Sequence, residues 1–198
     1  MVTSSRPEVD DAVRLRPEDM RLLLPVVHSS SACAGAATGY LVRRIAYRAG
    51  AYAPGLQEEL FHEVTTPFAG RSLDAVQSWF VSRQGDLHNL GYRLHARRVV
   101  EKTPVVLEWV GAGKGLRGAV LSTSYRHLHP QSRDDLNHAV GIAVDRLDPA
   151  AAEELMLVDP WPGFTNGARD RSKVPPALEA ANRAAGYHAL VFYWSGWS

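Results

Sequence analysis

The sequence predicts an α+β chain in which helices come first and an antiparallel sheet follows. From Cys33 to about Arg83 apolar residues recur at helical spacing, with Leu56, Leu60, Phe61 and Val64 on one face and Leu73, Val76, Trp79 and Phe80 on another. From about Leu90 the pattern changes to short apolar runs of strand length. Helices in one half and strands in the other are the mark of an α+β architecture. With 198 residues and 45% hydrophobic content, the chain is long enough to bury one good core. A single domain over 1-198 is expected, with a helical lobe at about 28-88 and a sheet lobe at about 89-198.

Taken in order, Met1 to Asp11 is polar and acidic, and residues 1–27 read as a flexible start that closes on the apolar run Leu22-Leu23-Leu24-Pro25-Val26-Val27. His28 and three serines follow, and Ser31 is placed as the N-cap of a helix whose first turn holds Cys33. Tyr40, Leu41, Ile45 and Tyr47 continue that helix at helical spacing. Pro54, Pro67 and Gly70 punctuate the helical half. The strand runs are Tyr92 to His95, Gly118 to Thr123, Asn137 to Asp145, the run from Leu155 that ends in the acid Asp159, and Ala189 to Trp194. Gly111-Ala112-Gly113-Lys114-Gly115 is read as a turn, because a phosphate-binding loop needs a strand before it and a helix after it, and here a strand run follows. The polar stretch Thr165 to Lys173 is read as a flap beside the run that ends at Asp159.

Net charge is +1 and the arginines are scattered, which argues against nucleic acid as the main partner. Arg43-Arg44 and Arg97-Arg98 are read as solvated faces. The first residues lack the apolar core of a secretory signal, and no stretch approaches the ~20 apolar residues of a membrane span. One cysteine permits no internal disulfide, which fits a reducing compartment. A soluble cytoplasmic protein without a membrane partner is the expectation; oligomeric state stays open.

The chemistry centres on Cys33. A thiol in the first turn of a helix sees the partial positive charge of unpaired backbone N–H groups, which favours the reactive thiolate. A lone cysteine is equally at home as inert core, so the rest of the chain has to decide. His138 opens one strand run and Asp159 closes another. On neighbouring strands the two would sit side by side, giving a thiol the base and orienting acid it needs. His127-x-His129 has no carboxylate or thiol at ligand spacing and is read as a loop over the site, so no metal and no cofactor is expected. Asn137 is placed on the cleft, and Trp161, Trp194 and Trp197 in core or cleft wall.

These residues resemble the papain-like cysteine peptidase superfamily. Asn137-His138-Ala139-Val140 is similar to that family's histidine strand, and Ser31-Ala32-Cys33-Ala34 with Gly39 to its cysteine helix. Asp159-Pro160-Trp161-Pro162-Gly163 is similar to the segment that carries its third catalytic residue. The order Cys, His, Asp is also the family's. Two departures stand out. Val27 occupies the position, six before the cysteine, where the family usually has a glutamine of the oxyanion hole; losing one such donor typically costs a factor of about 100 to 1000 in rate. His28 is the candidate substitute. His138 lies 105 positions after Cys33, against roughly 130–150 in the papain and cathepsin pattern.

The resemblance implies a compact papain-like fold and acyl transfer, with Cys33, His138 and Asp159 catalytic and His28, Ser31, Asn137 and Trp161 as oxyanion and substrate-binding residues. With an amine as acceptor the product is an amide; with water the enzyme is a peptidase or amidase. No pro-segment is evident ahead of Cys33, which points to a dedicated substrate. The leading expectation is an amide-forming acyltransferase of a biosynthetic pathway such as antibiotic assembly. Its substrate would be a small molecule or peptide, with a carrier-protein-bound acyl thioester as donor. A peptidase is the alternative, and a catalytically silent papain-like binding module, favoured by Val27, is the third.

Overall fold

A computed structural model describes residues 33–51, 72–89, 91–133, 136–145, 152–160, 174 and 176–195. In chain order these form α1 (Cys33–Arg48), α2 (Leu73–Asn89), β1 (Leu94–Val100), α3 (Thr103–Ala112), β2 (Arg117–Ser124), the single turn α4 (Tyr125–Leu128), β3 (Asn137–Asp145), β4 (Glu154–Val158), α5 (Ala177–Ala184) and β5 (His188–Trp194). The strands make one antiparallel sheet in the order β1-β5-β2-β3-β4. Among the described residues the chain is therefore an α+β fold of five helices and five strands.

Successive strand residues point to opposite faces, and here both sets are apolar. Leu94, Val120, Ala139, Ala143, Val158, Leu190 and Phe192 pack under α1 and α2. Ala119, Leu121, Val140, Ile142, Val144, Leu157, Ala189 and Val191 pack under α3 and α5. A sheet that is apolar on both sides must be covered on both sides, and α3 and α5, lying between strands in the sequence, supply the second layer. The sequence reading missed these two helices. Thr103-Pro104-Val105-Val106-Leu107 is rich in β-branched residues and looks like strand, although Pro104 in the first turn and Gly113 at the C-cap are helix start and stop signals. Asn182, buried in α5, ties the layer to the sheet. Its side-chain amide donates to the Ser122 carbonyl (2.7 Å) and its Oδ1 accepts from the Thr103 hydroxyl (2.8 Å).

α1 fixes the site and is buried on all sides from Cys33 to Ala46. It can lie close to the sheet because the sheet offers it small residues. Leu41 and Ile45 sit over two strand glycines: a Cβ at Gly118 would lie 3.1 Å from Leu41 Cδ2 and 3.4 Å from Ile45 Cδ1, and one at Gly141 would lie 3.6 Å from Leu41 Cγ. The same burial corrects the expectation for Arg43 and Arg44. Each is 8% exposed, because a helix enclosed all round has no solvated face. Arg97 is exposed, as expected, whereas Arg98 is half-buried and paired with Asp74 of α2 at 2.8 Å.

α2 begins at Ser72, whose Oγ accepts from the Ala75 N–H at 3.4 Å, and it buries Leu73, Val76, Phe80 and Leu87. It ends where Gly91 takes φ +85°, letting the Tyr92 N–H reach the Leu87 carbonyl at 2.8 Å. The glycine-rich stretch after α3 is a turn with Lys114 and Gly115 at positive φ, leading into β2. None of the helices among the described residues is long and apolar enough to cross a membrane.

Candidate functional site

The β2–β3 pairing brings the polar residues together. Thr123 pairs with His138 and Ser124 with Asn137, and the Thr123 hydroxyl donates to the His138 carbonyl at 3.1 Å. The chain leaves β2 through α4, where the Tyr125 N–H donates to the Leu136 carbonyl (2.9 Å) and the His129 N–H to the Tyr125 carbonyl (2.8 Å). His129 is thereby folded back towards the start of β3. Asp159 follows β4 directly after the Gly141–Val158 pair, which sets it beside the first residues of β3.

Three side chains converge there. Asp159 is fully buried, with His138 and His129 only 3% and 7% exposed. His138 Nε2 lies 2.7 Å from Asp159 Oδ1, and His129 Nε2 lies 3.0 Å from Oδ2. An ionised carboxylate only accepts, so each imidazole donates from Nε2. This leaves His138 Nδ1 as the nitrogen available to Cys33, to which His138 also hydrogen-bonds. The Tyr125 ring packs at 4.4 Å from the His129 ring and edge-on to His138 at 5.3 Å.

Burial is the largest single influence on His138 and pushes it towards the neutral form. The hydrogen bonds to Asp159 and Cys33, with the charges behind them, outweigh it and raise His138 from 6.5 to about 9. His138 is thereby biased towards the imidazolium. Cys33 is the first residue of α1 and is itself buried, so its sulfur combines a helix N-terminus with a neighbouring imidazole.

The sequence placed Cys33, His138 and Asp159 together, and their side chains do meet around His138. Asn137 opens β3 and is exposed. His28, Ser31 and Trp161 lie outside the described residues, as do Trp197 and the stretch Thr165 to Lys173. Tyr125 was missed as part of the site, and His129 was placed over it only as part of a loop. The expectation that the His127-x-His129 pair lacks a carboxylate partner is corrected: Asp159, thirty positions on, meets His129. The signal was the four-residue spacing of Tyr125 and His129 ahead of Pro130, which is a helical turn with a stop. His127 is directed elsewhere, its Nδ1 2.8 Å from Ser124 Oγ. Nitrogens of His129 and His138 and an oxygen of Asp159 lie within 4.8 Å of one another. Two imidazoles and a carboxylate are a donor set for a divalent ion, although here the same atoms hydrogen-bond to one another directly.

A cleft of about 840 Å³ lies between α3 and strands β1 and β5, lined by residues including Arg97, Trp109, Lys114, Arg117 and Tyr193. It adjoins the start of β2, whereas His138 pairs near the end of that strand, so the cleft is separate from the Cys33 site. No protein-family model and no curated protein matches the chain.

Proposed function

We propose that the chain is a cysteine-nucleophile acyltransferase of papain-like type that forms an amide bond through a thioester acyl-enzyme, acting in a cytoplasmic biosynthetic pathway such as antibiotic assembly. The observation that supports it is His138, hydrogen-bonded to buried Asp159 on one side and to Cys33 at a helix start on the other. In this reading the Cys33 thiolate attacks the carbonyl of an acyl thioester donor. The tetrahedral oxyanion is held in part by the Cys33 backbone N–H, the departing thiolate takes the proton of His138, and the acyl group stays on Cys33 as a thioester. An amine then attacks that thioester, His138 receives its proton, and Cys33 leaves with the amide released. Asp159 keeps His138 in the tautomer that presents Nδ1 to sulfur and stabilises the imidazolium.

The acceptor decides between this reading and hydrolysis, and Val27 at the glutamine position is the feature that argues for a site with altered oxyanion chemistry. The test is the pH dependence of Cys33 alkylation by iodoacetamide in wild type and His138→Ala, followed by intact-mass measurement after incubation with simple acyl thioesters. Rapid alkylation below about pH 7 that collapses in the variant, with an acyl adduct lost in Cys33→Ala, is the expected result. Alkylation that rises only near the free-thiol value of about 8.5 and ignores the substitution would sink the reading. Discharge of the adduct to water alone, with amines ineffective, would make the enzyme a hydrolase.

A further inference from the structure

We infer that His129 is a positioning residue for the Asp159–His138 pair, holding the Asp159 carboxylate by a second hydrogen bond so that its other oxygen stays aimed at His138. The inference rests on the reading of Cys33 and His138 as a reactive pair.

Rotation of a carboxylate about its Cβ–Cγ bond is soft, with broad minima. A hydrogen bond from His138 to Oδ1 constrains one oxygen. A donor on Oδ2 from another direction constrains the other, and His129 Nε2 stands there at 3.0 Å. His129 is itself well held. Its N–H is bonded to Tyr125 in α4, its carbonyl accepts from the Ser132 N–H at 2.9 Å, and Pro130 restricts its backbone. The Tyr125 ring packs against both imidazoles and so fixes the angle between them. His129 is linked to the sulfur by way of Asp159 and His138. Among the described residues the titratable groups around it include Asp159, His138 and Tyr125, with Cys33 hydrogen-bonded to His138.

The test pairs His129→Gln, which keeps an N–H donor, with His129→Phe, which keeps a ring and loses the donor. In both, Cys33 alkylation by iodoacetamide is measured near pH 7 together with the imidazole N–H resonances of His138. His129→Phe is expected to react about ten- to a hundredfold more slowly, the loss typical of one hydrogen bond to a charged group, and its His138 Nε2–H should lose protection from exchange. His129→Gln should stay within about threefold of wild type. Wild type should show two protected imidazole Nε2–H protons, one from each histidine. That spectrum decides the matter even if His129→Phe does not fold, because a single protected proton overturns the inference.

Wild-type reactivity in His129→Phe, with His138→Ala slow, overturns the role of His129 and leaves the Cys33–His138 reading standing. Wild-type reactivity in both overturns that reading too. Stoichiometric zinc binding to wild type that is lost in His129→Gln would overturn the inference in another way, by making these atoms metal ligands.

Discussion

Replacing Asp159 by asparagine keeps the size of the side chain and withdraws its charge, so it isolates what the buried carboxylate does to His138. Burial drives His138 towards the neutral form, and its partners reverse this and carry it from 6.5 to about 9. That rise corresponds to on the order of 3 kcal/mol in favour of the imidazolium. A hydrogen bond to a charged group contributes roughly 1.5–3 kcal/mol, or about one to two decades in proton affinity. His138 in Asp159→Asn is therefore expected to titrate at about 7–8 in place of about 9. The amide also has to present an NH₂ group towards one of two imidazole N–H donors, so one imidazole must change tautomer or give up its bond at 2.7 or 3.0 Å. The assay is NMR of the His138 ring nitrogens from about pH 5 to about pH 11, with iodoacetamide rates taken near pH 7. Slower alkylation, by about tenfold or more, should accompany the fall in proton affinity. If His138 still titrates near 9 in the variant, the carboxylate is not what holds the proton, and the argument from Asp159 to a reactive Cys33 is refuted.

His138 also links folding to pH: a group raised in the folded state contributes stability that is complete below 6.5 and is lost as pH rises through about 9. Urea midpoints should fall across that window in wild type and fall less in His138→Gln; equal slopes would contradict the assignment. Gly118→Val should destabilise by about 1–3 kcal/mol, since even its Cβ meets Leu41 at 3.1 Å and the Ile142 carbonyl at 3.3 Å; a neutral result would show that α1 does not seat closely on β2. Gly85→Ala, inside α2 with open space around the new methyl, should stabilise by roughly 0.5–1 kcal/mol in the same measurement. Asn182→Ala leaves the Ser122 carbonyl and the Thr103 hydroxyl without its bonds and should cost about 2–4 kcal/mol; thermal unfolding unchanged from wild type would dismiss it as the tie between α5 and the sheet.

The sequence was legible where one local signal governs. The α1 start at Cys33, the apolar face Leu73, Val76 and Phe80, and the runs that became β2 to β5 follow from period and burial. The runs Val105 to Val110 and Ala177 to Ala184 did not read as helices. In the first, β-branched residues mimic a strand; the second, Ala-rich and short, announces no period of its own. Their helicity answers a tertiary demand, the need to cover the second apolar face of the sheet. Arg43 and Arg44 failed for the same reason, since their polarity says surface while the enclosure of α1 says interior. In the site, Cys33, His138 and Asp159 could be picked out because each sits at the end of an element. His129 could not be matched to its partner, because the Tyr125–His129 spacing announces a helical turn and says nothing of Asp159, which only the path through α4 brings near.

The two readings of Cys33, inert core and reactive thiol, differ in what they require of its surroundings. An inert buried cysteine is satisfied by apolar neighbours, and Ala37, Leu41 and Ala139 belong to its own cluster. Such a cysteine has no need of an ionised carboxylate at zero exposure or of an imidazole held protonated beside its sulfur. Taking an ion pair out of water typically costs several kcal/mol per ion, and well-packed apolar residues of similar volume are often as stable or more so. A fold selected for stability alone would gain from leucine or phenylalanine at 129, 138 and 159. The chain instead buries a carboxylate between two histidines, with the thiol on the free side of one of them. Under the proposed function this is stability given up for chemistry, and it makes a testable demand: the triple replacement of these three residues by apolar ones should raise the unfolding temperature or leave it unchanged, while reducing Cys33 to the reactivity of an ordinary buried thiol.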